Sequence, residues 1–299
     1  MEKNDKIRTD LALEAKELWQ RQAEETTELK GVKATEENIS GFLVTTVEIL
    51  DEEGETALGK PKGTYITFEL AALTRREEDA FQNAAELLAL QIRAIIDLSE
   101  GDSVLVACLG NEAITPDAIG PEASNYILAT RHLKEHMSAE FSFFRSVSVL
   151  QTGVLGTTGV ESASMVGAVG ETVKPNCVIA VDALASCSLD RICKTVQISN
   201  TGIVPGSGIG NSRAALNIKT MGVPVIAIGV PTVVDASTLA AEIASGYNIE
   251  PSDKEKHSAM MVTPRDIDRS VHDISKLIGY AINLALHEEL SVTDVDLFL

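Results

Sequence analysis

The spacing of apolar residues changes character twice along the chain. From Ile39 to Leu50, and again from Thr64 to Leu70, apolar and β-branched residues alternate with polar ones, so that Ile66, Phe68 and Leu70 share a face. A period of two is that of a strand buried on one side. The stretches Asp51-Glu52-Glu53-Gly54 and Gly59-Lys60-Pro61-Lys62-Gly63 read as turns, which predicts an antiparallel β-ribbon over about 39–70. Leu11 to Glu25 has the helical period, and the ten residues before it are polar with no apolar face to pack. Thr74 and Glu77 form a capping-box pair. It predicts the start of a helix whose apolar stripe is Phe81, Ala84, Ala85, Leu88, Ile92 and Ile95.

After Ser103 the pattern becomes short runs that read as buried strands, several of them continuously apolar, separated by helical stretches. The runs are Ser103–Leu109, Arg145–Gln151, Val178–Asp182, Thr195–Ser199 and Val223–Gly229. Strands apolar on both sides belong in a mainly parallel sheet covered by helices on both faces. A last helix is predicted over Arg265–His287, with Ile267, Val271, Ile274, Ile278 and Ala285 on one stripe. No Pro- or Ser-rich linker and no repeat divides the chain. The expected architecture is therefore a three-layer α/β fold of one domain, with the ribbon inserted into it.

Composition adds exclusions. A formal net charge of −19 over 299 residues leaves no surface suited to phosphate backbones, so no nucleic-acid partner is expected. The longest apolar run, Val223 to Val234, is too short for a bilayer and is broken by Gly229 and Pro231, so no membrane span is expected. Met1-Glu2-Lys3-Asn4-Asp5-Lys6 is charged with no apolar core behind it, unlike a secretory signal. A cytoplasmic protein with reduced thiols at Cys108, Cys177, Cys187 and Cys193 is expected.

Two aspartates stand out. Asp117 follows the strand Val104–Leu109 through Gly110-Asn111 and Thr115-Pro116, and Asp182 ends Val178-Ile179-Ala180-Val181. Open α/β sheets place working groups beyond the carboxyl ends of their strands. Two carboxylates in one such crevice can share a proton and activate water. On local grounds alone, each could equally cap a helix or a sheet edge. Asp235, after Val233-Val234, reads first as a helix N-cap and second as a supporting site residue. Gly153–Gly159 lacks the Lys-Ser/Thr of a phosphate loop and the G-x-G-x-x-G of a dinucleotide site, and the glycines from Gly202 to Gly210 have no basic residue after them until Arg213; both read as tight turns that let another segment approach. His132-Leu133-Lys134-Glu135-His136 matches the H-x-x-E-H spacing of a zinc site. It has no identifiable third ligand and is flanked by Arg131, so a solvated helix end is expected and no metal.

These segments, together with Arg8–Ala15, Gln197–Ser199, Thr201–Ile203, Pro205–Gly208, Gly222–Ala236 and Val262–Asp268, resemble the germination protease family of spore-forming bacteria over nearly the whole chain. The resemblance implies an atypical aspartic endopeptidase related in fold to the hydrogenase maturation proteases, of the phosphorylase/hydrolase-like kind. It implies Asp117 and Asp182 as the catalytic pair, with Asn111, Thr201, Gly202 and Asp235 as supporting candidates. It further implies a homotetrameric zymogen in the developing spore that cuts small acid-soluble spore proteins after an acidic residue. Thr9-Asp10-Leu11-Ala12-Leu13-Glu14 imitates the substrate context, so residues 1–10 are expected to be a propeptide cut between Asp10 and Leu11. Asn200, Cys187 and Val204 depart from the family pattern, which bears on finer substrate contacts.

The chemistry expected is acid–base hydrolysis, one carboxyl protonated and the other ionised. Two alternatives stay open. Paired carboxylates can also hold a divalent cation, as a metal-dependent maturation-type protease would require. The three departures would also suit a peptide-binding relative without activity. Acidification is the expected trigger of self-processing, since it relieves repulsion in a strongly acidic chain.

Overall fold

The computed structural model describes residues 9–22, 29–75, 77–137, 141–208, 210, 213–240 and 260–299. Among the described residues nine strands form one mixed sheet: β1 (Val32–Ile39), β2 (Phe42–Ile49), β3 (Gly63–Glu69), β4 (Val104–Leu109), β5 (Val147–Gly153), β6 (Cys177–Ser186), β7 (Thr195–Ser199), β8 (Val225–Asp235) and β9 (Met261–Val262). Their order is β1-β2-β3-β7-β8-β6-β4-β5, with β9 beside β8. The four strands β5, β4, β6 and β8 are parallel and make the core of the sheet, whereas β1, β2, β3 and β7 are antiparallel.

The helices are α1 (Ala12–Gln22), α2 (Glu52–Leu58), α3 (Ala71–Thr74), α4 (Ala80–Ile95), α5 (Ile119–Ser124), α6 (Arg131–His136), α7 (Leu155–Thr158), α8 (Ser162–Val173), α9 (Ile218–Met221), α10 (Ile267–Leu286) and α11 (Val292–Phe298). Side chains of a strand point alternately to its two faces. Along β6, Ile179 and Val181 meet the core of α4, α5 and α10, while Val178 and Ala180 meet Ala163 and Val166 of α8. Further along that second face, α1 and α2 cover β2 and β3 through Ala12, Leu58, Val47, Ile49 and Tyr65. The α8 and α1 layers thus flank a gap over β6, β8 and β7. The next residue of β6 on that face is Asp182.

Several expectations change in detail. The ribbon starts earlier, at Val32, because its first strand is a sheet edge whose solvated Lys33, Glu36 and Glu37 hide the apolar alternation. It also joins the main sheet, through β3 pairing with β7. Asp51 begins a helix rather than a turn, its side chain accepting from Gly54 N at 3.0 Å. Thr74 ends α3 instead of opening α4, whose preceding residue Asp79 adopts a left-handed conformation without a side-chain cap. The strand holding Asp182 runs on to Ser186, because β8 also continues, to Asp235, and pairs with it past a bulge at Leu184/Ala185. Of the helix expected over Leu11–Glu25, residues 23–25 lie outside the described residues, as does Asn211 of the second glycine-rich loop.

Candidate active site

The first aspartate is brought to the sheet by a tight return of the chain. Gly110 has φ +113°, and a Cβ there would lie 2.1 Å from the Asp117 carbonyl oxygen. Asn111 N donates to that same oxygen at 2.9 Å. Thr115, Pro116 and Asp117 form a single 3-10 turn, tied to β8 by Thr232 Oγ1 donating to Pro116 O at 2.6 Å. The helix that follows, α5, has no side-chain cap, so the Asp117 carboxyl is not spent on one. Asp182 reaches the same place from inside β6, in register with Gly229 of β8, and is only 5 % exposed.

Both carboxyls line a cavity of about 430 Å³, together with Asn111, Arg213, Met261 and Asp10. Burial pushes the Asp117 carboxyl up to about 6, an effect moderated by a backbone N–H of Asn111. Burial raises Asp182 well above the carboxylate range, and the neighbouring Asp117 charge raises it further; the Ala183 N–H, at 2.9 Å, opposes this, and Asp10 adds to it. Two carboxyls coupled in this way resist ionising together.

The N-terminal segment is docked beside this pair. Asp10, expected on a stretch with nothing to pack, is instead bound through polar contacts. Its N–H donates to Ala185 O at 3.0 Å, and its carboxylate accepts from Ala185 N at 2.9 Å and from Ser207 Oγ at 2.5 Å. The glycine loop makes room for it: a Cβ on Gly208 would lie 2.2 Å from Asp10 Oδ2. Lys60 Nζ donates to Thr9 O at 2.9 Å. Four residues on, Glu14 is fully buried, accepting from Ser186 Oγ at 2.5 Å and from Cys187 N at 2.8 Å, with Arg191 at 3.6 Å. Leu11 and Ala12 between them are inaccessible. Ser207, Ala185, Lys60, Gln197, Ser186 and Arg191 were not singled out by sequence. The one available signal was the spacing of two acids within Thr9–Glu14, which says that two acceptors exist without saying where.

Of the supporting candidates, Asn111 lines the carboxylate cavity. Thr201 and Gly202 line an adjoining one of about 320 Å³, shared with Lys60, Tyr65, Gln197 and Asp10. Asp235 lines neither; its Oδ1 accepts from Ser237 N at 2.8 Å and from the Ser237 hydroxyl, the cap geometry of the helical residues 236–240. His132 and His136 are exposed on the short α6. Among the described residues no group of three or more His, Cys, Asp or Glu is arranged to hold a metal ion. No described helix is long and apolar enough to cross a membrane. Of the departures, Cys187 supplies a backbone N–H to Glu14, Asn200 Oδ1 accepts from Thr64 N at 2.9 Å, and Val204 lines the adjoining cavity.

Comparison with known proteins agrees with the sequence resemblance. The family described as germination protease matches residues 12–250. A germination protease of Caldanaerobacter subterraneus is 43 % identical, covering 98 % of this chain and 98 % of its own. Those of Clostridium tetani and Oceanobacillus iheyensis are 39 % and 34 % identical, covering 98 % and 96 % of this chain and 99 % and 95 % of theirs. Among solved structures, the [NiFe] hydrogenase maturation protease HycI from Thermococcus kodakarensis aligns with 64 % of this chain and 98 % of its own, at 16 % identity and a TM-score of 0.36. A likeness that loose locates no residue.

A carboxyl whose folded pKa lies above its unfolded value binds more protons folded than unfolded. Its contribution to stability is greatest at low pH and declines as pH rises through the window between the two values. Asp182→Asn removes that penalty. Its Tm at pH 8 should exceed wild type, by about 2–4 °C per kcal/mol recovered, with the gap closing toward pH 4. Thermal unfolding followed by circular dichroism across this range checks it; a Tm at pH 8 below wild type would contradict it.

Proposed function

The chain belongs to the germination protease family, and on that premise we propose that Asp117 and Asp182 hydrolyse peptide bonds by acid–base catalysis. Membership makes it a peptide-bond hydrolase. The observation that supports this reading is that both carboxyls line one cavity, Asp182 from inside the sheet and almost fully buried. Asp117, the less buried, is the base that takes a proton from water. Asp182, held protonated, polarises the carbonyl and then protonates the leaving nitrogen. This is the division of labour of an aspartic-type endopeptidase, and no metal is assigned to it.

The substrates in this reading are small acid-soluble spore proteins, cut after an acidic residue in the cytoplasm of the germinating spore. Support comes from the chain itself, because Asp10 and Glu14 each occupy a polar socket. Residues 1–10 are a propeptide, removed between Asp10 and Leu11, leaving 11–299 as one protease domain assembled as a homotetramer. Residues 1–8 lie outside the described residues.

Asp117→Asn and Asp182→Asn should each reduce cleavage of a spore-protein substrate by at least about 1,000-fold while the far-ultraviolet spectrum is unchanged. Self-processing should stop in the same variants, leaving the full mass in a preparation free of other proteases. Turnover within tenfold of wild type would remove the residue concerned from the chemistry.

The rate of self-cleavage should follow a bell in pH. Its acid limb should lie near 6, where Asp117 ionises, and its alkaline limb should appear as Asp182 loses its proton. Acidification from the alkaline side therefore speeds processing until about pH 6, and mass spectrometry at timed points reads the rate. A profile flat from pH 5 to 9 would reject the pair as acid and base.

His132→Ala combined with His136→Ala should leave turnover within twofold of wild type, and so should dialysis against a chelator. Loss of activity with stoichiometric release of zinc would establish the metalloprotease alternative.

A further inference from the structure

Gln197 is a polar residue in a fully buried strand, 7 % exposed, and both ends of its amide are in use. Nε2 donates to the Asp10 carbonyl oxygen at 3.2 Å, and Oε1 accepts from Ala12 N at 2.8 Å. One side chain thus holds the docked segment on both sides of the Asp10–Leu11 bond. Gln197 is also paired with Gly229, which is paired on its other side with Asp182. Residues in register across neighbouring strands share a face, so Gln197 and Asp182 rise on the same side of the sheet, two strand spacings or roughly 10 Å apart. The residue between them is a glycine. A carbonyl group with a water beside it fits between an amide and a carboxyl placed in this way.

We infer that Gln197 is a catalytic residue, the donor that binds the oxygen of the carbonyl being cut. This rests on the reading that the Asp10–Leu11 bond is a substrate. Water adds to the Asp10 carbonyl carbon and gives a proton to Asp117. The oxygen, now negative, is held by Gln197 Nε2. When the intermediate collapses, the bond to Leu11 N breaks and that nitrogen takes the proton of Asp182. The products are the Asp10 α-carboxylic acid and the Leu11 amine.

In the docked state the Leu184 side chain lies over Gly229, within 2.4 Å of where a Cβ would be, and so stands between the clamp and Asp182. Leu184 lines both cavities. Turning it aside merges them and brings carbonyl and carboxyls into one space. Ala185, the next residue along, is the one that grips Asp10.

The competing role for Gln197 is purely structural, satisfying the first free N–H of α1. Self-cleavage separates the two, because the bond is already docked and the first-order rate reads the chemistry without a binding step. Gln197→Met and Gln197→Leu lack the donor and bury no charge, and the first also keeps the length of the side chain. Either should cut itself about 100-fold more slowly than wild type, the usual loss on removing one oxyanion donor. The Asp10 amide, bonded to Ala185 O, should stay protected from hydrogen exchange in the same variant. An unchanged far-ultraviolet spectrum shows that a variant has folded. A rate within threefold of wild type, or a slow rate accompanied by loss of Asp10 protection, overturns the proposal. Failure of the wild-type chain to cut Asp10–Leu11 at all overturns the self-processing reading and this one with it. A wild type that cuts, beside folded variants that cut as fast, overturns only the role of Gln197.

Discussion

A carboxyl group buried inside a β-sheet beside a second carboxyl is the constraint on which the rest of this structure turns. Water would stabilise the charge on Asp182; the sheet cannot, and Asp117 opposes it further. The group relieves the conflict by keeping its proton. That state costs stability at neutral pH, yet it is the state a proton donor needs. The surrounding fold serves to impose it. The glycine at 110 lets the loop carrying Asp117 fold back, and the continuation of β6 to Ser186 keeps Asp182 covered.

The same strand extension has a second use. Because β6 runs past Asp182, the backbone of Ala185 and Cys187 and the hydroxyl of Ser186 are free to hold a peptide, and they hold the chain's own Asp10 and Glu14. The buried carboxyl of Asp182 and the stretch that holds Asp10 and Glu14 are therefore consecutive parts of one strand. The placement of the α8 and α1 layers on either side of this stretch leaves the gap in which the segment lies.

Much of this arrangement was legible in the sequence. Continuous apolar runs such as Val104–Leu109 can be stable only when covered on both faces, so the parallel core and its helices followed from them. The two aspartates were conspicuous because each interrupts or follows such a run. Other features were hidden for physical reasons. Val32–Ile39 is a charged sheet edge and carries little apolar periodicity. Asp182 read as the end of a strand, since a carboxyl inside one is costly and a single sequence does not reveal what offsets it. Gln197 and Ser207 act through partners 187 and 197 residues away, a relation that no local pattern encodes. Thr201, Gly202 and Asp235 lie near or at the ends of the strands β7 and β8 in sequence, but the fold sends the first two to the adjoining cavity and the third to a helix cap.

The central claim is that one carboxyl of the pair holds its proton through neutral pH while the other ionises. Direct titration of the two groups by carbon-13 NMR of labelled aspartate tests it without reference to activity. Two linked transitions should be seen, one near pH 6 and one displaced upward from the ordinary aspartate range, with the second absent in Asp182→Asn. Both carboxyls titrating near pH 4, as ordinary exposed aspartates do, would contradict the account.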